Sequence, residues 1–122
     1  MTGMELYTIA PWLSVRGGRE ALDFYKRAFG AVEVYLFDGG ADGVVARLSI
    51  HGAEFWVADE SPETSSESSA RIILTVPDPD AVFAQACAAG AAEIYPVSED
   101  RGWRVGRVVD PYGHHWEIGR QV

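Results

Sequence analysis

One pattern of about sixty residues occurs twice in this chain, and that constrains its fold more than any other feature. Leu13-Ser14-Val15, followed by a helix-like run to Gly30-Ala31, recurs as Leu74-Thr75-Val76, followed by a second run to Gly90-Ala91. The offset is 61 at the strand (74 minus 13) and 60 at the glycine (90 minus 30), so the copies differ by at most one inserted residue. Gly52 before residues 54–58 is matched by Gly113 before residues 115–119. Two small modules in tandem place their facing strands around a shared space, and function is expected there. With 122 residues, 1–122 is one domain; each module would be marginal alone, so they must pack on each other or on a partner chain.

Local patterns give each module the same order of elements. Residues 7–15 alternate as a strand, with Leu13 and Val15 on one face and Trp12 and Ser14 on the other; Pro11 lacks an N–H and makes this an edge. From Arg19 to Phe29 apolar residues recur at spacings of three and four, and Gly30 supplies the left-handed stop. A strand over 32–37, a glycine-rich turn over 38–43 and a hairpin of 44–50 with 54–58 around His51-Gly52 complete a β-α-β-β-β unit. Module one spans 5–59, and residues 60–69, polar and without apolar periodicity, form a linker. Module two, 70–120, opens with a strand over 71–76 and a helix started by Asp78-Pro79. It continues with a short strand over 93–96, a polar turn over 98–102, a strand over 103–109, a type I turn at Asp110-Pro111-Tyr112-Gly113 and a strand over 114–118.

Composition excludes several functions. A net charge of −8 leaves no basic surplus for nucleic-acid phosphates and is compatible with a cationic ligand. No apolar run approaches the ~20 residues that cross a bilayer, so no membrane partner is expected and the reading is cytoplasmic. The single cysteine, Cys87, reads as a small buried apolar residue among alanines. Gly39 to Gly43 lacks the lysine and the strand-to-helix setting of a phosphate loop, and no serine or cysteine sits in a nucleophile elbow. Four tryptophans invite a binding explanation. Trp12, Trp56 and Trp103 fall on or beside strands that line the shared space, whereas Trp116 alternates toward the helix side.

The Leu-Ser-Val strand, the helix EALDFYKRAFG over 20–30 and the segment DPYGHHWEI over 110–118 together resemble the vicinal oxygen chelate superfamily, which includes glyoxalase I, extradiol dioxygenases and bleomycin-resistance proteins. The resemblance runs from about Tyr7 to Gly119. It implies an α+β fold in which two βαβββ modules form a cupped eight-stranded mixed sheet with helices outside, often completed across a homodimer. It also implies a divalent metal in the cup of catalytic members, ligated from the first and last strand of each module. Those positions are here Ala10, Trp56, Arg71 and Glu117.

Only Glu117 among the four can ligate a metal, whereas a catalytic divalent ion needs about three protein donors. Arg71 is a cation without a lone pair; it is expected to pair with Glu117 or with a charged group of a ligand. The expected function is therefore metal-independent binding of a small molecule in an aromatic cup, by a homodimer without a cofactor. Its ligand-binding candidates are Trp12, Trp56, Arg71, Trp103, His115 and Glu117. The alternative is a divalent-metal lyase, isomerase or dioxygenase using Glu117 and a histidine. His115 and Glu117 share a strand face, while His114 reads as a cap on the turn and His51 as a turn residue.

Overall fold

The computed structural model describes residues 7–60 and 70–122. Its eight strands and two helices follow the duplicated order. Module one holds β1 (Trp12–Val15), α1 (Gly18–Phe29), β2 (Val32–Asp38), β3 (Val44–Ile50) and β4 (Ala53–Asp59). Module two holds β5 (Arg71–Thr75), α2 (Pro79–Ala89), β6 (Ala92–Asp100), β7 (Trp103–Val109) and β8 (His115–Gln121). The strands are hydrogen-bonded as two sheets of four, ordered β1-β4-β3-β2 and β5-β8-β7-β6. In both, the first strand runs parallel to the last and every other pairing is antiparallel. The expected linker over 60–69 lies, from residue 61, outside the described residues.

Three local expectations change. The first strand begins at Trp12 rather than Tyr7, because Pro11 cannot donate to the ladder and the preceding residues stand in solvent. The glycine-rich turn contains a short 3-10 helix, Gly40–Asp42. The strand expected over 93–96 runs to Asp100 straight through Pro96, and the turn shrinks to Arg101-Gly102. A register slip between Tyr95 and Ser98 absorbs the proline on this edge strand, where a missing N–H does least harm.

Helix α1 lays Ala21, Leu22, Phe24, Tyr25, Ala28 and Phe29 into the core and stops at Gly30, whose φ of 68° is left-handed and whose N–H donates to the Lys26 carbonyl at 2.9 Å. Its N-terminus lacks a side-chain cap at Gly17. The Asp59 carboxylate, from the end of β4, accepts from Gly18 N at 2.8 Å and from Val44 N at 2.7 Å instead. Residue 18 must be glycine for this approach, since a Cβ there would lie 2.4 Å from Asp59 Oδ2. Helix α2 is capped by Asp78, which accepts from Ala81 N at 3.1 Å, with Pro79 opening the first turn.

The helices pack against each other, and one continuous core joins the modules. At its centre Asp110 is 4% exposed and uses both carboxylate oxygens fully. Oδ2 accepts from Tyr25 Oη of the other module at 2.6 Å and from Trp116 Nε1 at 2.9 Å; Oδ1 accepts from the amides of Tyr112 at 2.9 Å and His114 at 3.0 Å. His114 does more than cap the turn. It is buried, and its Nε2–H donates to the Ser14 carbonyl of module one at 2.8 Å.

Burial first, and then the Asp110 charge, push the Tyr25 phenol far above its ordinary pKa of 10.0. Below pH 10 the phenol is protonated in both folded and unfolded chains, so its contribution is complete. Above pH 10 the unfolded chain releases a proton that the folded chain retains, and stability falls by about 1.4 kcal/mol per pH unit. Denaturant unfolding between pH 9 and pH 12 is expected to fall at least this steeply in the parent, where the raised Cys87 and Tyr112 add to the loss, and less steeply by about one proton in Tyr25→Phe. Parallel slopes would contradict the assignment.

Candidate functional site

Each sheet carries its helix on one side and leaves the other side open. On the first open face the register aligns a row across four strands: Trp12 of β1 opposite Trp56 of β4, Trp56 opposite Arg47 of β3, and Arg47 opposite Tyr35 of β2. On the second, Ile73 of β5 stands opposite Glu117 of β8, Glu117 opposite Arg107 of β7, and Arg107 opposite Tyr95 of β6. The rows correspond at offsets of 61, 61, 60 and 60 (73 minus 12, 117 minus 56, 107 minus 47, 95 minus 35). Arginine and tyrosine recur; the tryptophan pair is replaced by isoleucine and glutamate.

A bulge in each module's second strand produces the alignment. Glu33 pairs with Leu48 but Tyr35 with Arg47, so Val34 is the extra residue; Glu93 pairs with Val108 but Tyr95 with Arg107, so Ile94 is. Such a slip moves the following side chains to the other face. The arginines and tyrosines were not among the residues expected from the sequence to line the site. The signal was nevertheless present, in the repeated segments GAVEVY (30–35) and GAAEIY (90–95) and in the equal spacing of Arg47 and Arg107.

The first face is an aromatic platform. Trp12 stacks on Trp56 with ring centroids 5.9 Å apart, Tyr35 meets Trp56 edge-on at 5.9 Å, and the Arg47 guanidinium lies 5.4 Å over the Trp56 ring. Glu54 balances Arg47 at 3.2 Å. A cavity of about 380 Å³ beside this platform is lined by Ala10, Arg47, Glu54 and Trp56 among others.

The second face is charged at its centre. Arg107 Nη2 donates to Glu117 Oε1 at 2.9 Å, and Arg71 Nε stands 3.2 Å from the same oxygen. Arg107 also lies 5.5 Å over the Tyr95 ring. Arg71 is opposite His115 in the ladder, and His115 Nδ1 is buried without a hydrogen-bond partner. Glu117 borders a cavity of about 240 Å³ lined also by Ile73, Thr75, Trp103, Val105 and Gly119. It also borders one of about 90 Å³ with Tyr95 and Arg107.

The six candidates thus divide in two. Trp12 and Trp56 belong to the first face, and Arg71, Trp103, His115 and Glu117 to the second. Among the described residues no ring contact or ion pair joins the two groups within one chain. Trp116 turns inward, 1% exposed, between Phe29 and Phe55. Cys87 is part-buried, and burial pushes its thiol above the usual range, away from a reactive thiolate.

The donor set at the four chelating positions does not fit a divalent cation. Ala10 and Trp56 offer no lone pair, Arg71 repels a cation, and the one carboxylate already faces two guanidiniums. Among the described residues no three His, Cys, Asp or Glu side chains are grouped so as to hold a metal.

The duplicated βαβββ modules with open faces identify the architecture, and residues 12–119 match the family model of the glyoxalase-like domain. The chain belongs to that family. It is thereby a member of the vicinal oxygen chelate superfamily inferred from its motifs. An uncharacterised Mycobacterium bovis protein is 38% identical over 128 aligned positions, covering 93% of this chain and 83% of the relative. Among solved structures, TioX from Micromonospora sp. ML1 is 26% identical with a TM-score of 0.74, covering 95% of this glyoxalase-like chain and 97% of TioX. The fosfomycin resistance protein FosX from Listeria monocytogenes, 15% identical with a TM-score of 0.77 and coverage of 98% and 96%, shares the fold. No helix among the described residues is long and apolar enough to cross a membrane.

Proposed function

We propose that this glyoxalase-like protein binds and sequesters small molecules without a metal, as a cytoplasmic homodimer whose open sheet faces close into cups against a second copy. The observation that carries the reading is the state of Glu117. The one side chain at the four chelating positions able to ligate a metal is instead held by Arg71 and Arg107.

The rest of the chemistry follows from the faces. Trp12, Tyr35, Ile73, Tyr95 and Trp103 are all exposed on them, so both a ligand and a second copy have apolar area to cover. The stacked Trp12–Trp56 pair offers a flat, rigid surface to an aromatic ligand at little entropic cost. With no nucleophile elbow in the sequence and no metal-ligand cluster among the described residues, the reading rests on binding rather than turnover.

The second reading, a divalent-metal lyase, isomerase or dioxygenase, draws on the partnerless His115 Nδ1 beside Glu117. One set of measurements on untagged protein separates the two. Elemental analysis is expected to give substoichiometric metal, and sedimentation a dimer. Titration with a panel of cationic, neutral and anionic aromatic compounds is expected to quench tryptophan fluorescence, with affinity reduced about tenfold in Trp56→Ala. Near-stoichiometric zinc, iron, manganese or nickel that disappears in Glu117→Ala would establish the enzyme reading instead, and flat fluorescence across the panel would remove the sequestration reading.

A further inference from the structure

Resting on that binding reading, we propose that the second open face is an oxyanion site. Arg71 and Arg107 clamp the carboxylate or related oxyanion of a small acid, and its apolar body lies over Ile73, Trp103 and Val105.

Charge balance is the first reason. Two guanidiniums meet one carboxylate at Glu117, leaving a local excess of one positive charge in a chain whose net charge is −8. The first face has no such excess, since Arg47 is matched by Glu54. The overall acidity therefore does not set the ligand's charge; the local field does.

Donor count is the second. A guanidinium presents five N–H groups in a fixed fork. Arg107 spends Nη2 on Glu117, and its Nε is buried with no partner. Arg71 approaches the same Glu117 oxygen with Nε at 3.2 Å, and its side chain is 52% exposed, which leaves guanidinium surface facing solvent. Planar forks with free donors suit an oxyanion better than any neutral or cationic group. Stacking of Arg107 over Tyr95 holds its fork in place before a ligand arrives.

The adjoining cavity sets the size and polarity of the remainder. At about 240 Å³ it lies below the range of ~300–1,000 Å³ that takes drug-sized ligands, and Ile73, Trp103 and Val105 line it. Neither arginine lines this cavity, but Glu117 and Val105 border both it and the cavity of about 90 Å³ that Arg107 lines. A small aryl or branched aliphatic acid with its body in the larger space therefore reaches the guanidiniums past the Glu117 carboxylate. Glu117 acts as the resident competitor, occupying the clamp until an external anion displaces part of its contacts.

Calorimetric titration at low ionic strength with phenylacetate, phenylacetamide and phenethylamine tests this, because the three share one body and differ in charge. Phenylacetate is expected to bind about tenfold more tightly than the amide, and the amine to bind least. Arg71→Gln, at a half-exposed edge position, is expected to erase the preference for the acid by bringing phenylacetate affinity down to that of the amide. Glu117→Gln is expected to strengthen phenylacetate binding several-fold by freeing both forks. Equal affinity for all three probes, preference for the amine, or weaker phenylacetate binding in Glu117→Gln overturns the clamp while leaving the sequestration reading intact. Absence of binding by all three, together with flat fluorescence across the wider panel, overturns both.

Discussion

Replacing Asp110 with alanine is expected to lower unfolding stability by about 3 kcal/mol or more, because it strands three buried donors at ~1–3 kcal/mol each and leaves a fourth, part-buried one unpaired. Those donors are the Tyr25 hydroxyl, the Trp116 indole N–H and the amides of Tyr112 and His114. Domains of this size hold only about 5–15 kcal/mol in total, so the variant stands at the edge of folding. Asp110→Asn keeps the volume but turns one acceptor into a donor facing donors, and is expected to lose most of the same amount. Denaturant melts at a fixed protein concentration read both. A loss below about 1 kcal/mol in Asp110→Ala would show that water or rearrangement satisfies the four groups, and that the carboxylate is not what joins the modules.

Trp116→Ala is expected to cost about 3–5 kcal/mol, the range for emptying a large buried aromatic site. Its ring packs 4.5 Å from Phe29, 5.4 Å from Phe55 and 5.8 Å from Tyr25, all of module one, so the cavity would open on the boundary between the modules. Trp116→Phe refills much of that space and loses chiefly the bond to Asp110, so its cost is expected to be clearly smaller. Because Trp116 and Asp110 share a hydrogen bond, the Asp110→Ala, Trp116→Ala double variant is expected to lose less than the sum of the singles. Strict additivity would mean that the two act independently.

Both changes act on function indirectly. The two open faces belong to different modules, and their relative position depends on the seam held by Asp110, Trp116, Tyr25 and the His114–Ser14 bond. A change there is expected to reach ligand binding through the angle between sheets, whereas changes at Trp56 or Arg71 touch the binding surface directly. The metal positions and the seam thus answer separate questions in separate assays.

The duplication, the helix ends and the donor deficit were legible in the amino-acid order because each rests on near-neighbour chemistry. Gly30 stops α1 by its own left-handed conformation, Asp78 and Pro79 start α2, and Ala10, Trp56 and Arg71 lack metal-donating atoms wherever they stand. Only the tertiary structure decided which side chains share a surface. One extra residue at Val34 and one at Ile94 determine whether Tyr35 and Tyr95 line up with Arg47 and Arg107, since a one-residue slip reverses a strand's faces. The same holds for Asp110, which reads locally as a turn residue and becomes the joint between modules only when α1 brings Tyr25 to it across 85 residues. Periodicity is a property of the chain, but the partners of a buried carboxylate and the membership of an open face are properties of register and packing.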